Sequence, residues 1–295
     1  MITASKLTLT YPSGKGVFDL NFTVPQGSVV GYLGPNGAGK TTTLRALLGF
    51  MRPDQGKCSV AGLDCTEQAP EIQRRLGYIP GEIAFPDGMN GDEFLSFMGA
   101  MRGTTHATRQ KQLLDMLELD PRGKIRRFSK GMKQKLGIVA AFMHDPEVLI
   151  LDEPSSGLDP LMQNRLAGLV LSEKARGRTI LMSSHIFEEV EKVCDSVLII
   201  KDGRIVEQAA VASLKDSQRK VFVLTAADAA AAARSLAAAG FETQSDPSGA
   251  LMVSVAGGSI DRFVKTAAQV TVQNLTVKHQ SLEDIFIHFY GKEAK

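Results

Sequence analysis

The segment Gly34-Pro35-Asn36-Gly37-Ala38-Gly39-Lys40-Thr41 constrains this chain more than any other. It follows a short apolar run, residues 28–33 (SVVGYL), and precedes Leu44, Leu47 and Leu48 at helical spacing. The unit therefore reads as buried strand, glycine loop, helix. The eight residues match GxxxxGK[ST]. Glycines let successive backbone N–H groups converge on an anion without Cβ clashes. The following helix presents its positive end, Lys40 adds a point charge, and the Thr41 hydroxyl suits a divalent cation on the phosphates. At this chain's glycine content roughly 0.02 chance matches are expected, so the loop is read as a phosphate cradle.

A second apolar run, residues 148–151, ends in Asp152 and Glu153. Acidic residues after a buried strand are common, but beside a phosphate loop they are the expected other half of a nucleotide site. Asp152 would hold the metal and Glu153 would polarise an attacking water. Residues 179–182 and 197–200 are further apolar runs, each preceded by helix-like sequence, and this alternation predicts a buried parallel sheet. Between about residues 83 and 145 the pattern is mainly helical. Phe94, Phe97, Met98 and Met101 are expected on one helix face, and so, with allowance for a helix end, are Leu113, Leu114, Leu117 and Leu119. Composition shifts near Asp216. Beyond it the order is strand, alanine-rich helix, two strands, helix, strand and a last helix from Ser281, which predicts a small ferredoxin-like module.

Together these residues resemble ABC-type ATP-binding subunits. Residues 128–134 (FSKGMKQ) stand upstream of the acidic strand, where that family carries its LSGGQ signature. Residues 155–159 (SSGLD) resemble its D-loop, Ser184-His185 its switch histidine, and Tyr11 the aromatic that stacks on adenine. The resemblance extends to about residue 211. It implies an α/β fold: a P-loop NTPase core of ABC type with a helical signature subdomain, in a domain of residues 1–215. The α+β accessory module then spans 216–295. It also implies ATP and Mg2+ as ligands. The phosphates would lie along Gly34, Pro35, Asn36, Gly37, Ala38, Gly39, Lys40, Thr41 and Thr42, the metal on Thr41 and Asp152, and catalysis with Glu153 and His185. Ser129 and Gly131 would reach the nucleotide held by a second subunit.

The signature departs from the family at Phe128, Lys130 and Met132, while Ser129 and Gly131, the hydroxyl and the bare backbone, remain. At Gly81 the family normally has Gln; Glu82 beside it is the candidate to take part of that role.

Partners follow from what is missing as well as what is present. Net charge is +2, which gives no whole-chain field for nucleic acid. The basic cluster Lys124, Arg126, Arg127, Lys130, Lys133 and Lys135 holds a single aromatic, Phe128, and reads as a solvated face. The apolar runs fall short of the ~20 residues a membrane span needs. No apolar h-region opens the chain, so no secretory signal is expected. Cys58, Cys65 and Cys194 lack metal-type spacing and suit a reducing compartment. The expectation is a cytoplasmic ATPase, peripheral to the membrane, working as a homodimer or with a paired ATPase subunit and with separate permease subunits. The residues 281–286 (SLEDIF) resemble the tail of the drug- and antibiotic-export branch. The alternative, a soluble ABC ATPase acting on ribosomes or nucleic acid, calls for a second P-loop or a long coiled coil, and neither is in the sequence. A purely regulatory module is disfavoured because Glu153 and His185 are both in place.

Overall fold

A computed structural model describes residues 1–86, 88–103, 107–216, 220–246, 249–255 and 257–278. They fall into two compact units that meet in sequence at Ala210 and Val211. The first opens with an antiparallel pair, β1 (Ile2–Thr10) and β2 (Gly16–Val24), followed by β3 (Val29–Leu33). The glycine loop leads into α1 (Lys40–Leu47), and then come β4 (Gln55–Val60), β5 (Leu63–Asp64), α2 (Ala69–Arg75) and β6 (Leu76–Ile79). Three helices follow, α3 (Gly91–Arg102), α4 (Ala107–Met116) and α5 (Lys130–Phe142). The unit ends with β7 (Val148–Asp152), α6 (Pro160–Ala175), β8 (Thr179–Ser184), α7 (Phe187–Val193), β9 (Ser196–Lys201) and β10 (Arg204–Ala210).

These strands make two sheets, a six-stranded one in the order β10-β9-β3-β8-β7-β6 and an antiparallel one in the order β2-β1-β4-β5. Within the first, β9, β3, β8, β7 and β6 are mutually parallel, and only β10 runs against its neighbour. Leu44 and Leu47 of α1 enter one core with Leu7 and Leu20 of the small sheet and Tyr32 and Ile150 of the large one. The signature helix α5 is buried along Leu136, Ile138, Val139 and Phe142, each ~1.5–3 kcal/mol of apolar burial. Strand order fixes the site. Because β3, β8 and β7 are neighbours in register, with Leu33 opposite Ser184 and Asp152 opposite Ser183, their C-terminal ends open onto one edge.

The apolar face expected on α3 is only partly buried. Leu95 and Gly91 are its buried residues, while Phe97 is 44% and Met101 70% exposed. Phe94 instead stacks edge-on against Phe85, with ring centroids 5.0 Å apart. A helix at the rim of a unit can turn part of its apolar surface outward, which periodicity alone does not reveal. On the second stretch Leu113, Leu117 and Leu119 are buried and Leu114 is half-buried.

The second unit opens with α8 (Val211–Asp216) and continues through β11 (Lys220–Ala226), α9 (Ala229–Ala238), β12 (Glu242–Ser245), β13 (Leu251–Val255), α10 (Ile260–Ala267) and β14 (Val272–Lys278). From β11 onward this is the anticipated βαββαβ order, folded as an antiparallel sheet β12-β13-β11-β14. Leu236 and Phe263 from the two helices pack on Phe222, Leu224 and Val253. The helix expected from Ser281 lies outside the described residues.

Candidate functional site

The glycine loop turns tightly into α1, with Gly39 at φ 110° as the cap. Lys40 is 5% exposed, and its ammonium donates to the carbonyls of Gly34 (2.6 Å) and Pro35 (3.2 Å). Burial pushes the Lys40 pKa down, and the nearby charges of Glu153 and Asp152 oppose that shift. Thr43 anchors the same turn from behind: its hydroxyl reaches the Gly39 carbonyl and the Tyr32 hydroxyl, both at 3.0 Å.

Asp152 ends β7 almost completely buried, at 2% exposure. A carboxylate in that position needs donors. Thr41 donates to Oδ2 at 2.9 Å, and Ser183 of β8 donates to Oδ1. Glu153 follows with φ 47°, a left-handed conformation uncommon for a residue with a side chain and of the kind that gathers at functional sites. Its N–H is shared between the carbonyl (3.2 Å) and the hydroxyl (3.1 Å) of Ser183. The carboxylate so aimed lies 3.7 Å from the Lys40 ammonium and 3.4 Å from Nδ1 of His185. Sequence positions far apart thus meet: Lys40, Thr41, Asp152, Glu153 and His185 form one polar cluster at the sheet edge. A cleft of about 270 Å3 opens over it, lined by Tyr11, Lys15, Pro35, Asn36, Thr42 and Glu153, among others. Tyr11 is half-buried against the core, and its hydroxyl donates to Met51 Sδ at 3.4 Å.

A hydroxyl and a carboxylate side by side are hard oxygen donors, the set a magnesium ion takes. Thr41 and Asp152 therefore fit Mg2+. Ser129 and Gly131 are not among the residues lining the cleft. Ser129 caps α5, accepting from the Met132 N–H at 3.2 Å, and is exposed. A β-carbon on Gly131 would stand 2.8 Å from the Gly157 carbonyl oxygen, so its bareness also lets the loop after β7 approach α5. Gly81 lies against the site: a β-carbon there would be 3.2 Å from Asp152 Oδ2. Glu82 is exposed.

Three contributors were not singled out by sequence reasoning. Ser183 clamps Asp152 and Glu153 together. Gln134, buried in α5, donates to the Pro154 carbonyl at 2.8 Å and ties the signature helix to the acidic strand. Glu189 of α7 accepts from Ser155 and Ser184. Gln134 stands between Lys133 and Lys135, in a stretch read as a solvated face, so none of the three has a local signature.

The family model described as "ABC transporter" matches residues 17–156, and one described as "AAA domain, putative AbiEii toxin, Type IV TA system" matches 123–191. The ABC transporter ATP-binding protein NatA of Bacillus subtilis is 38% identical over 211 residues, 70% of this chain and 86% of that protein. The chain belongs to the ABC transporter ATP-binding family. Among other relatives of this ABC ATPase, the bacitracin transport ATP-binding protein BcrA of Bacillus licheniformis is 35% identical over 300 residues, covering 99% of this chain and 97% of its own. A solved ATP-binding subunit of an ABC transporter superposes with a TM-score of 0.69 at 32% identity, over 73% of this chain and 92% of that one. The fold expected from the motifs, an ABC-type P-loop core, is the observed one. The chemistry expected with it, ATP binding and hydrolysis, is that of the family.

Proposed function

We propose that this ABC ATPase powers an exporter whose membrane-spanning subunits are separate chains. It would work as a homodimer or with a paired ATPase subunit, on the cytoplasmic face of the membrane. The observation that carries the reading is the BcrA relationship, which runs the length of both chains, joined to the assembled cluster at the sheet edge. Two further facts support it. Among the described residues no helix is long and apolar enough to cross a membrane, so a transport path would come from partners. Phe50, Phe97 and Met101 are 58%, 44% and 70% exposed, large apolar side chains suited to a protein partner.

In this reading Tyr11 stacks on adenine and the backbone from Gly34 to Thr42 cradles the phosphates, with Lys40 leaving the carbonyls of Gly34 and Pro35 for the β- and γ-oxygens. Magnesium held by Thr41 and Asp152 would offset phosphate charge. Glu153 accepts a proton from the water attacking the γ-phosphorus, and ADP leaves. His185, beside Glu153, orients that carboxylate and contacts the γ-phosphate. Ser129 and Gly131 close over the nucleotide of the opposite subunit, which accounts for their absence from this chain's own cleft. Residues 216–295 form an accessory module. Purifying the tagged protein from membranes tests the reading: a stoichiometric polytopic partner is expected, and recovery with ribosomal proteins alone would contradict it.

A further inference from the structure

The loops that carry Glu153 and His185 leave adjacent strands, and a third carboxylate joins them. Ser155, two residues beyond Glu153, donates its hydroxyl to Glu189 Oε2 at 2.8 Å. Ser184, immediately before His185, donates to the same oxygen at 3.1 Å. The Ser184 hydroxyl in turn accepts from the Ile186 N–H at 2.9 Å, which pins the backbone on the far side of His185. Both serines are buried, at 7% and 2% exposure. A single oxygen of one side chain thus holds the loop after β7 and the loop after β8 at a fixed spacing. Glu189 itself does not line the nucleotide cleft; it stands on α7, whose buried face is Phe187, Val190 and Val193.

We propose that Glu189 is a positioning residue for ATP hydrolysis, acting through Ser155 and Ser184 to keep the Glu153 carboxylate and the His185 imidazole in register. The inference rests on the catalytic reading of those two residues given above. Glu153 already occupies a left-handed conformation held by Ser183 from one side. On the other side the chain turns back at once, with the Ser156 N–H bonded to the Glu153 carbonyl at 3.1 Å and the Leu158 N–H to the Ser155 carbonyl at 3.0 Å. Releasing the Ser155 hydroxyl frees this turn, and releasing Ser184 frees the residue before His185. The 3.4 Å approach of the two functional groups is then no longer enforced. A charged acceptor makes both bonds stronger than a neutral one would.

The test is turnover and ATP affinity of the full chain bearing Glu189→Ala, Glu189→Gln or the pair Ser155→Ala with Ser184→Ala, each also in a His185→Ala background. Small displacements at a reacting centre are costly, so Glu189→Ala should lower kcat by about tenfold while leaving ATP affinity within about twofold. Glu189→Gln, which keeps an acceptor of the same shape, should restore most of that loss, and the double serine variant should reproduce it. In the His185→Ala background Glu189→Ala should cost less than about twofold, because the pairing of imidazole and Glu153 carboxylate that it keeps in register has already lost one member. A merely structural role would lower thermal stability and leave this background dependence absent. Unchanged kcat in Glu189→Ala, or a tenfold loss that persists without His185, overturns the proposal. Glu153→Gln and His185→Ala serve as controls on the underlying reading. If they turn over like the parent, the catalytic assignment fails and the proposal with it; if they are impaired and Glu189→Ala is not, only the proposal falls.

Discussion

Ser183→Ala is a small change at a position that sequence alone does not mark. The hydroxyl donates to Oδ1 of Asp152, a carboxylate only 2% exposed whose other oxygen is served by Thr41. A hydrogen bond to a buried charge contributes about 1.5–3 kcal/mol. The second bond of that hydroxyl, from the Glu153 N–H, is partly replaced, since the same N–H reaches the Ser183 carbonyl at 3.2 Å. The loss is therefore set by the Asp152 bond. At 2–4 °C per kcal/mol for a unit of this size, Tm without nucleotide should fall by roughly 3–12 °C. The Mg2+ concentration giving half-maximal ATPase should rise, because Asp152 and the strained Glu153 backbone lose a shared support. Differential scanning fluorimetry and a magnesium titration of ATPase rate read the two effects. A Tm within about 1 °C of the parent, with an unchanged titration, would refute the premise that Ser183 bears on the buried carboxylate.

Within the glycine loop, Gly37 (φ 83°) faces open space while a β-carbon on Gly39 (φ 110°) would stand 2.6 Å from Val17 Cγ1. Gly37→Ala should cost about 1–2 kcal/mol of backbone strain, and Gly39→Ala that plus about 1–3 kcal/mol of overpacking, measurable by urea unfolding. Asp145 is bracketed by Arg176 (2.7 Å) and Arg178 (2.8 Å). Partial burial works against its charge, but the Arg176 hydrogen bond and the charges of Arg178, Arg176 and Arg109 hold its carboxyl below the ordinary 3.8. A depressed carboxyl stabilises fully above that ordinary value and stops as pH falls through the folded one, so Asp145→Asn should cost about 1 kcal/mol at pH 7 after solvent screening. The gap should close below about pH 4, followed by Tm against pH. Finally, co-expressed Lys40→Ala and Ser129→Arg chains should form a heterodimer with one intact composite site, built from the second chain's glycine loop and the first chain's signature. ATP-dependent closure should recover above the mean of the two homodimers.

What was legible in the sequence was local. The glycine loop and the acidic strand end are each written in a few consecutive residues, the βαββαβ order is a succession of such local patterns, and each stands where it was expected. Strands β4, β6 and β10 escaped notice: Gln55, Gly56 and Lys57 are exposed in β4, and β6 is a four-residue strand. The alternating exposure of β10 is not mirrored in its residue types. On α3 the period reports that a face is apolar, not which way it turns. In the site, Lys40, Asp152 and Glu153 announce themselves by residue type. Ser183 reaches Asp152 and Glu153, and Glu189 reaches Ser155, across 30 or more residues of sequence, which no local pattern encodes.

Glu153→Gln tests the central claim most directly. The amide is nearly isosteric, so ATP should still bind, while a side chain that no longer accepts the water's proton should slow turnover by roughly 10²-fold or more. With ATP and Mg2+ the variant should accumulate as a dimer on size exclusion, and the parent should not. Hydrolysis at the parent rate would remove Glu153 from the chemistry and contradict the account.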